Sequence, residues 1–491
     1  MTNTSICSDY ILRMRAFVPR NQTYFFRKTG MLLVAAISTW LFLLPVNAEN
    51  ATASQAQNLG VKQLIQEGLN FLILEQGQKA EECFLRAKTL DPYSEEAYNF
   101  LGLLYLQQGL FQKAEDMLKR AIAIEPLYAE ALRNLGKLYL QQERFAEATS
   151  YLRRAFTLDR SQAYTAYLLG MAHYFSGQVD KAVQAYEEAF SIDSHLPVEA
   201  HYNLGVAYHE SSRYLDAVHE YEAVLKAEPE HLNALNNLGL VFSLIGEKDR
   251  AVDLFNRVLK IDANNVKARI NLGNVYLNTR DLIEAEKIYR SAISLDAKDI
   301  SPRLNLGVVY FERGEFDKAR TEWETLLASD PKNMKVLSVM ASAYLEKKQF
   351  DEAIRIFKQL VELMPENGSI ANTLGYLLAD RNKELDLAQK LIEKAIEIEP
   401  MNRATYLDSL AWVYYRRGNY SEARQQQEKA IKIFRLGHEA ISSEVHLHLG
   451  RICEKMNEKE LAIKSYQAAV KSNSDPEIVK CASESLELLA K

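Results

Sequence analysis

A glycine, replaced by alanine in two copies, recurs along the chain, and each time an alanine follows it at an almost constant spacing. This regularity restricts the chain to one class of fold. In nine successive copies the spacing is twelve residues: Gly68/Ala80, Gly102/Ala114, Gly136/Ala148, Gly170/Ala182, Gly205/Ala217, Gly239/Ala251, Gly273/Ala285, Gly307/Ala319 and Ala341/Ala353. Three looser copies continue the series: Gly375/Ala388, Ala411/Ala423 and Gly450/Ala462. Most copies are 34 residues apart. A period of this length predicts an array of helix pairs in which each pair packs against the next.

Other positions of the repeat fit two amphipathic helices. An apolar residue precedes the glycine and an aromatic residue usually follows three later, as in Leu101 and Tyr105. A bulky residue usually sits four after the alanine, as in Phe255 and Trp323. At 3.6 residues per turn each set lies on one face of its helix. We therefore expect two helices of about 14 residues per copy, each about 20 Å long.

Together these positions resemble the tetratricopeptide repeat, and the resemblance covers residues 61–475. It implies an all-α, right-handed superhelical solenoid of about twelve helix-turn-helix repeats. Residues 476–491 are predicted to form a C-terminal capping helix, because Asp475 and Pro476 are typical of a helix start. Its apolar stripe would consist of Ile478, Ala482, Leu486 and Leu489.

The first 48 residues have the pattern of an export signal. Basic residues precede an apolar run over residues 31–44, and Val46-Asn47-Ala48 offers small residues for a signal peptidase. The run is shorter than the roughly 20 residues that span a bilayer. We predict a cleaved signal peptide, with an uncleaved membrane anchor as the alternative, followed by a linker over residues 49–60. The mature protein would lie in the periplasm or cell envelope, or be tethered to the inner membrane through residues 31–44.

The net charge and the motifs of the sequence argue against two classes of function, nucleic-acid binding and catalysis. Without the first 48 residues the chain has 54 basic and 64 acidic residues, a formal net charge of −10. An acidic chain without a block of basic residues argues against nucleic-acid partners. The sequence shows no phosphate-binding loop, no complete zinc-protease motif and no segment outside the repeats long enough for a catalytic domain. We therefore expect a protein that is not an enzyme and needs no cofactor or metal.

Three cysteines would remain after cleavage: Cys83, Cys453 and Cys481. Cys453 and Cys481 could approach each other where the capping helix packs on the last repeat. Free buried thiols are the expectation, and a disulfide between these two is the alternative.

An asparagine recurs two positions before the glycine in Asn134, Asn203, Asn237, Asn271 and Asn305. This position is nearly opposite the buried stripe of the first helix, where we expect packing to make no demand. An amide can pair with the N–H and C=O groups of an extended peptide. The row resembles the asparagine ladder in the repeat arm of protein O-linked N-acetylglucosamine transferases, although this chain lacks their catalytic domain. Repeat duplication, or bridging between neighbouring helices, would also explain the row.

Apolar contacts must assist such a ladder, because a few hydrogen bonds barely offset the cost of association. Candidates on the same face are Tyr167, Tyr202, Phe311, Trp412, Tyr415 and Arg416. The segment Trp412–Arg416 combines two aromatic rings with a cation and is the best single anchor. Packing between helices is the alternative for each of these rings. The block from Asn372 to Arg417 is also similar to segments of bacterial envelope repeat proteins.

The sequence thus predicts a non-catalytic adaptor of the cell envelope that binds protein or extended peptide partners in the concave groove of the superhelix. One alternative is a fixed structural subunit of an envelope assembly, secretion or polysaccharide-export machine. Another is a subunit that delivers substrate to a separate enzyme such as a glycosyltransferase.

Overall fold

The computed structural model describes residues 53–472 and 475–490, and within them every regular element is a helix. These residues form two compact units that divide between Val275 and Tyr276. None of the described helices is long and apolar enough to cross a membrane. The predicted signal peptide, residues 1–48, lies outside the described residues.

Thirteen helices begin in the first unit, and the last of them contains the boundary. Their bounds are α1 Ala53–Ile73, α2 Gly77–Leu90, α3 Glu95–Gln107, α4 Phe111–Ile124, α5 Ala129–Gln141, α6 Phe145–Leu158, α7 Ala163–Phe175, α8 Val179–Ile192, α9 Val198–Glu210, α10 Tyr214–Ala227, α11 Leu232–Leu244, α12 Lys248–Ile261 and α13 Val266–Asn278.

Twelve more α-helices follow in the second unit. They are α14 Leu282–Leu295, α15 Ile300–Glu312, α16 Phe316–Ser329, α17 Met334–Glu346, α18 Phe350–Leu363, α19 Gly368–Asp380, α20 Leu385–Ile398, α21 Arg403–Arg416, α22 Tyr420–Leu436, α23 Ser443–Lys455, α24 Lys459–Ser472 and α25 Pro476–Ala490. A 3₁₀ turn, Pro400–Asn402, precedes α21.

The odd-numbered helices from α1 to α23 are the first helices of the repeats, and the even-numbered helices are the second. In both units each helix packs mainly on its neighbours along the chain. The predicted all-α array of tandem helix pairs is confirmed. The predicted linker is wrong in part, because α1 begins at Ala53 and residues 53–60 are helical.

The glycine of each repeat admits the bulky side chain of the second helix. A Cβ atom on Gly102 would lie 2.5 Å from Cγ of Leu118, and one on Gly307 would lie 2.2 Å from Nε1 of Trp323. Real Cβ atoms do not approach other atoms this closely, so these two helices must carry glycine here, whereas repeats nine and eleven carry Ala341 and Ala411 at the equivalent position. The recurrent alanine, such as Ala114 or Ala319, is fully buried on the opposite helix. The spacing of glycine and alanine is therefore a packing requirement.

Each first helix ends in a residue with left-handed backbone, seven positions after the glycine or its counterpart. The residues at this position with positive φ are Glu75, Gly109, Glu143, Gly177, Ser212, Gly246, Arg280, Gly314, Lys348, Asn382, Gly418 and Asn457. The following N–H then bonds back to the helix, as Leu110 N does to Tyr105 O at 2.8 Å. This is the Schellman arrangement, which ends a helix and reverses the chain.

Helix α25 covers the apolar end of the last repeat. Its Ala482 is fully buried in a cluster with Tyr466 and Ala469 of α24, and Ile478 and Leu486 pack against the same cluster. The cysteines Cys83, Cys453 and Cys481 are free thiols. Burial raises the pKa of the Cys453 thiol to about 11, so this group stays protonated and unreactive at neutral pH.

Candidate functional site

The predicted asparagine row lies on the first helices, and its amides bond to the preceding repeat. Four Nδ2 atoms donate to side chains about 35 residues earlier in the chain. The bonds run from Asn134 to Asn99 Oδ1 (2.9 Å), from Asn203 to Tyr167 Oη (2.8 Å), from Asn237 to Tyr202 Oη (3.1 Å) and from Asn271 to Asn236 Oδ1 (2.9 Å). Each acceptor stands three positions before the glycine of its own repeat. The alternative that these amides bridge neighbouring helices is confirmed for these four.

The expectation that packing makes no demand at this position is wrong. Asn134, Asn237 and Asn305 are only 6%, 2% and 7% exposed, and Asn203 and Asn271 are half-buried. A helical wheel shows the faces of a single helix, whereas in the protein the first helix of the neighbouring repeat packs along this side. Asn305 likewise has its Nδ2 within 3.4 Å of Tyr289 Oη. The predicted peptide-binding role of the row stays a prediction.

Removing one of these bridges should lower stability. We expect Asn237→Ala to reduce the free energy of unfolding by about 1–3 kcal/mol, because the Tyr202 hydroxyl loses its donor in a site where burial raises its pKa to about 12. Urea unfolding of residues 49–491 measures this change. A double-mutant cycle with Tyr202→Phe should give a coupling energy of about 0.5–1.5 kcal/mol.

The matched control is Asn264→Ala, at an exposed position in the turn before α13. Its effect should stay within about 0.5 kcal/mol. Additive effects of Asn237→Ala and Tyr202→Phe would contradict the bridge.

The predicted rings of the earlier repeats are mostly packing residues. Tyr167 is 5% exposed and its ring lies 5.8 Å from that of Tyr186 in the second helix of the same repeat. Phe311 is 4% exposed and contacts the rings of Phe316 and Trp323. For Tyr167 and Phe311 the alternative of packing between helices is confirmed.

In the second unit, polar and aromatic side chains gather where α19, α21 and α23 lie side by side. These are the first helices of three consecutive repeats. We call this group the Trp412 cluster, and its members are Tyr376, Asp408, Trp412, Tyr415, Arg416, Glu444, His448 and Arg451. Of the predicted binding residues, it brings together Trp412, Tyr415 and Arg416.

Trp412 is the centre of a stack of rings. Its ring centroid lies 4.3 Å from that of His448, with 18° between the planes, and 4.7 Å from that of Tyr415, with 10° between the planes. Trp412 is only 2% exposed, whereas Tyr415 and Arg416 are half-buried. The residues of the predicted anchor therefore differ in accessibility. Trp412 forms the buried base of the site, which we call its floor, and Tyr415 and Arg416 supply the accessible surface.

A buried charge pair lies beside the stack. Nδ1 of His448 is 3.1 Å and 3.2 Å from the two carboxylate oxygens of Asp408, and both residues are nearly inaccessible. Gln427 of α22 is fully buried and its Nε2 donates to Asp408 Oδ1 at 2.5 Å and to the backbone oxygen of Val445 at 2.8 Å. These bonds tie α21, α22 and α23 into one arrangement.

The charges around His448 favour its protonated form. Burial by itself lowers the pKa of this imidazole, but the Asp408 carboxylate and, more weakly, Glu444 outweigh burial and the opposing effect of Arg451, so the pKa is raised. Glu444 in turn accepts a hydrogen bond of 2.5 Å from the Tyr376 hydroxyl. Both carboxylates of the cluster thus have internal partners.

The two arginines do not have such partners. The guanidinium carbon of Arg416 lies 5.9 Å and that of Arg451 5.6 Å from the Trp412 ring centroid, as cation–π contacts. Neither forms an ion pair or hydrogen bond with a carboxylate of the described residues, and both are half-buried. Trp412 Nε1 and, next to the cluster, Gln427 Oε1 are also buried without a hydrogen-bond partner among the described residues.

The raised pKa of His448 gives a pH dependence of known sign. The charge pair should contribute its full stability below the ordinary histidine pKa of about 6.5 and lose it as pH rises through the folded-state pKa. We therefore expect His448→Gln to destabilise the protein more at pH 6 than at pH 9 in urea unfolding.

The control is His446→Gln in the same helix, where burial and Arg435 lower the imidazole pKa. Here the neutral form is favoured, so the loss on substitution should be smaller at pH 6 than at pH 9. The same pH trend in both variants would contradict the account.

Sequence reasoning missed Tyr376, Asp408, Glu444, His448 and Arg451. The position within the repeat was a usable signal. Asp408 stands three positions before the small residue of its repeat, as Tyr167 and Tyr202 do in theirs. Tyr376 and Arg451 stand one position after the glycine of their repeats, as Trp412 does after Ala411. Comparing equivalent positions across repeats ten to twelve would have grouped Tyr376, Asp408 and Arg451 with Trp412, but not Glu444 or His448. Among the described residues no set of three or more His, Cys, Asp or Glu side chains could hold a metal ion.

Comparison with protein families gives matches along most of the chain. Models described as tetratricopeptide repeat match residues 101–163, 197–264, 280–343, 310–375, 366–436 and 443–476, and one described as TPR repeat matches residues 170–212. A TPR repeat-containing protein of Pseudomonas aeruginosa is 37% identical over 79 residues, which are 16% of this chain and 12% of that protein.

Solved structures of similar fold include yeast Tom70, with a TM-score of 0.38 and 18% identity over 88% of this chain and 96% of that one. Pseudomonas aeruginosa PilF has a TM-score of 0.40 and 17% identity over 44% of this chain and 97% of that one. YrrB, described as a TPR protein with an unusual peptide-binding site, has a TM-score of 0.36 and 19% identity over 38% of this chain and 96% of that one.

Proposed function

Because the chain belongs to the tetratricopeptide repeat family, we propose that it is a non-catalytic adaptor of the cell envelope that binds a partner polypeptide across α19, α21 and α23. Proteins of this architecture act in protein–protein interaction. The observation that supports this particular place is the Trp412 cluster, in which Tyr415, Arg416 and Arg451 are accessible above a rigid aromatic floor.

The geometry of the cluster suits binding. Stacked rings and a buried charge pair restrict the rotamers of the floor, so little side-chain entropy is lost when a partner docks. Half-buried tyrosine and arginine side chains are the types that contribute most to protein interfaces. The asparagine row of the first unit already bonds within the protein, so each amide offers a partner only its second N–H and its oxygen.

Site-specific photo-crosslinking in a bacterial host tests this placement. A photo-reactive amino acid replaces Tyr415 in one variant and Ile283, which is 75% exposed on the second helix α14 of the same unit, in the other. We expect one defined polypeptide adduct from position 415 and none from position 283. Adducts from position 283 alone would instead support a fixed subunit that docks through its second helices.

The envelope location rests on the pattern of residues 1–48 and has its own test. Alkaline phosphatase fused after Lys491 is active only outside the cytoplasm, so the full chain should give an active fusion and a chain starting at residue 49 should not. Equal activity of the two fusions would contradict export. Processing to a shorter chain separates a cleaved signal from an uncleaved anchor.

A further inference from the structure

Two cationic side chains of the Trp412 cluster are not paired with the carboxylates of the cluster. Its carboxylates are Asp408, which accepts from Gln427 and pairs with His448, and Glu444, which accepts from Tyr376. Arg416 and Arg451 remain over the indole with no carboxylate partner among the described residues. The cluster therefore offers two guanidinium groups that its own carboxylates do not contact.

We propose that this site recognises an acidic, extended segment of the partner polypeptide, whose carboxylates bind to the guanidinium groups of Arg416 and Arg451. This inference rests on the proposed function and names the chemistry of its partner. A half-buried guanidinium without an anion has lost part of its hydration without compensation, and a carboxylate restores it through paired N–H···O bonds.

The two arginines lie close enough together for one segment of a partner to reach both. Both guanidinium carbons lie within 6 Å of one ring centroid, so their separation cannot exceed the sum of 5.9 Å and 5.6 Å. Side chains at alternate positions of an extended chain point to the same side and stand roughly 7 Å apart. Because this limit exceeds 7 Å, an extended segment with glutamates at alternate positions is compatible with contact to both arginines.

The protein as a whole is acidic, with a formal net charge of −6 for the full sequence. At physiological ionic strength charges beyond about 8 Å are largely screened, so the local cations decide what binds at the cluster.

Calorimetric titration of the chain from residue 49 to 491 tests the inference with defined probes. The first probe is an acetylated and amidated octapeptide of alternating Glu and Tyr, and the second replaces every Glu with Gln. We expect the Glu peptide to bind at least about tenfold more tightly, since hydrogen bonds between charged partners are stronger than those to a neutral amide. Arg416→Gln and Arg451→Gln should each lower its affinity about tenfold or more.

The matched control is Arg403→Gln, an exposed arginine at the start of the same helix α21, which should bind the Glu peptide as the parent protein does. Circular dichroism must show that all three variants are folded. Equal affinity for the Glu and Gln peptides would overturn the acidic specificity while leaving peptide binding at the cluster intact. Binding that survives both Arg416→Gln and Arg451→Gln, or no binding of the Glu peptide at all, would also overturn it.

Failure of the broader proposal has a different signature. If crosslinks at Tyr415 are absent in cells, the adaptor site is wrong irrespective of the peptides. If the Glu peptide does not bind but vesicles of phosphatidylglycerol do, with loss on Arg416→Gln, the cluster is a lipid-binding site and the inference fails.

Discussion

Asp408→Ala should lower the free energy of unfolding by about 3–5 kcal/mol, one of the two largest effects expected in this protein. The carboxylate is 6% exposed and joins His448 of α23 to Gln427 of α22. Removing one member of a buried pair leaves the others without compensation, and this costs far more than losing an exposed ion pair. The His448 ring would also lose the bond that fixes it against Trp412.

Urea unfolding followed by tryptophan fluorescence measures this change, because Trp412 reports on the same repeat. The control is Asp386→Asn, whose carboxylate is almost fully exposed although it pairs with Arg417. That substitution should change stability by no more than about 1 kcal/mol. An Asp408→Ala protein as stable as the control variant would show that the buried pair does not hold α21, α22 and α23 together.

Gly307→Ala should also be strongly destabilising, although alanine is the better helix former. The added methyl group would lie 2.2 Å from Nε1 of Trp323, which donates to Leu304 O at 3.1 Å. Trp323 is 1% exposed and cannot move without disturbing the second unit. Overpacking typically costs about 1–3 kcal/mol and occasionally more. Three atoms of a buried indole within 2.7 Å place this substitution at or above the upper end of that range, so the cost exceeds the gain of about 1 kcal/mol in helix propensity.

Gly77→Ala is the comparison at a permissive site, since the nearest atom to its added methyl group would be Leu104 Cδ1 at 3.8 Å. Thermal unfolding should show a lower midpoint for Gly307→Ala and an unchanged or higher midpoint for Gly77→Ala. If both alanines raised the midpoint, the glycine spacing would not be a packing requirement.

The helix pairs were predictable because the residues that recur in the repeat pattern are those that pack the two helices of a pair together. Gly102 and Leu118 recur as a pair in register, and each recurrence adds independent support for the same two faces. The capping helix was predictable for the same reason, since Asp475 and Pro476 start it and Ala482 faces Tyr466. The start of α1 was not, because the small polar residues from Ala53 to Asn58 carry no apolar stripe.

The binding residues were only partly predictable because they depend on contacts between repeats. A helical wheel for one repeat placed Asn237 outside, yet the neighbouring helix brings Tyr202 within 3.1 Å of it. Trp412 was identified from its residue type, but its burial follows from His448 one repeat later. Positions two and three before the glycine should therefore be examined as pairs across adjacent repeats.

Hydrogen–deuterium exchange of residues 49–491 with and without the crosslink-identified partner segment tests the central claim most directly. The account predicts slower exchange, on binding, in α19, α21 and α23, and no change in the second helices α14 and α16. Protection should disappear when Arg416→Gln and Arg451→Gln are combined. Protection confined to α14 and α16, or to the asparagine row around Asn203 and Asn237, would contradict the placement of the partner on the Trp412 cluster.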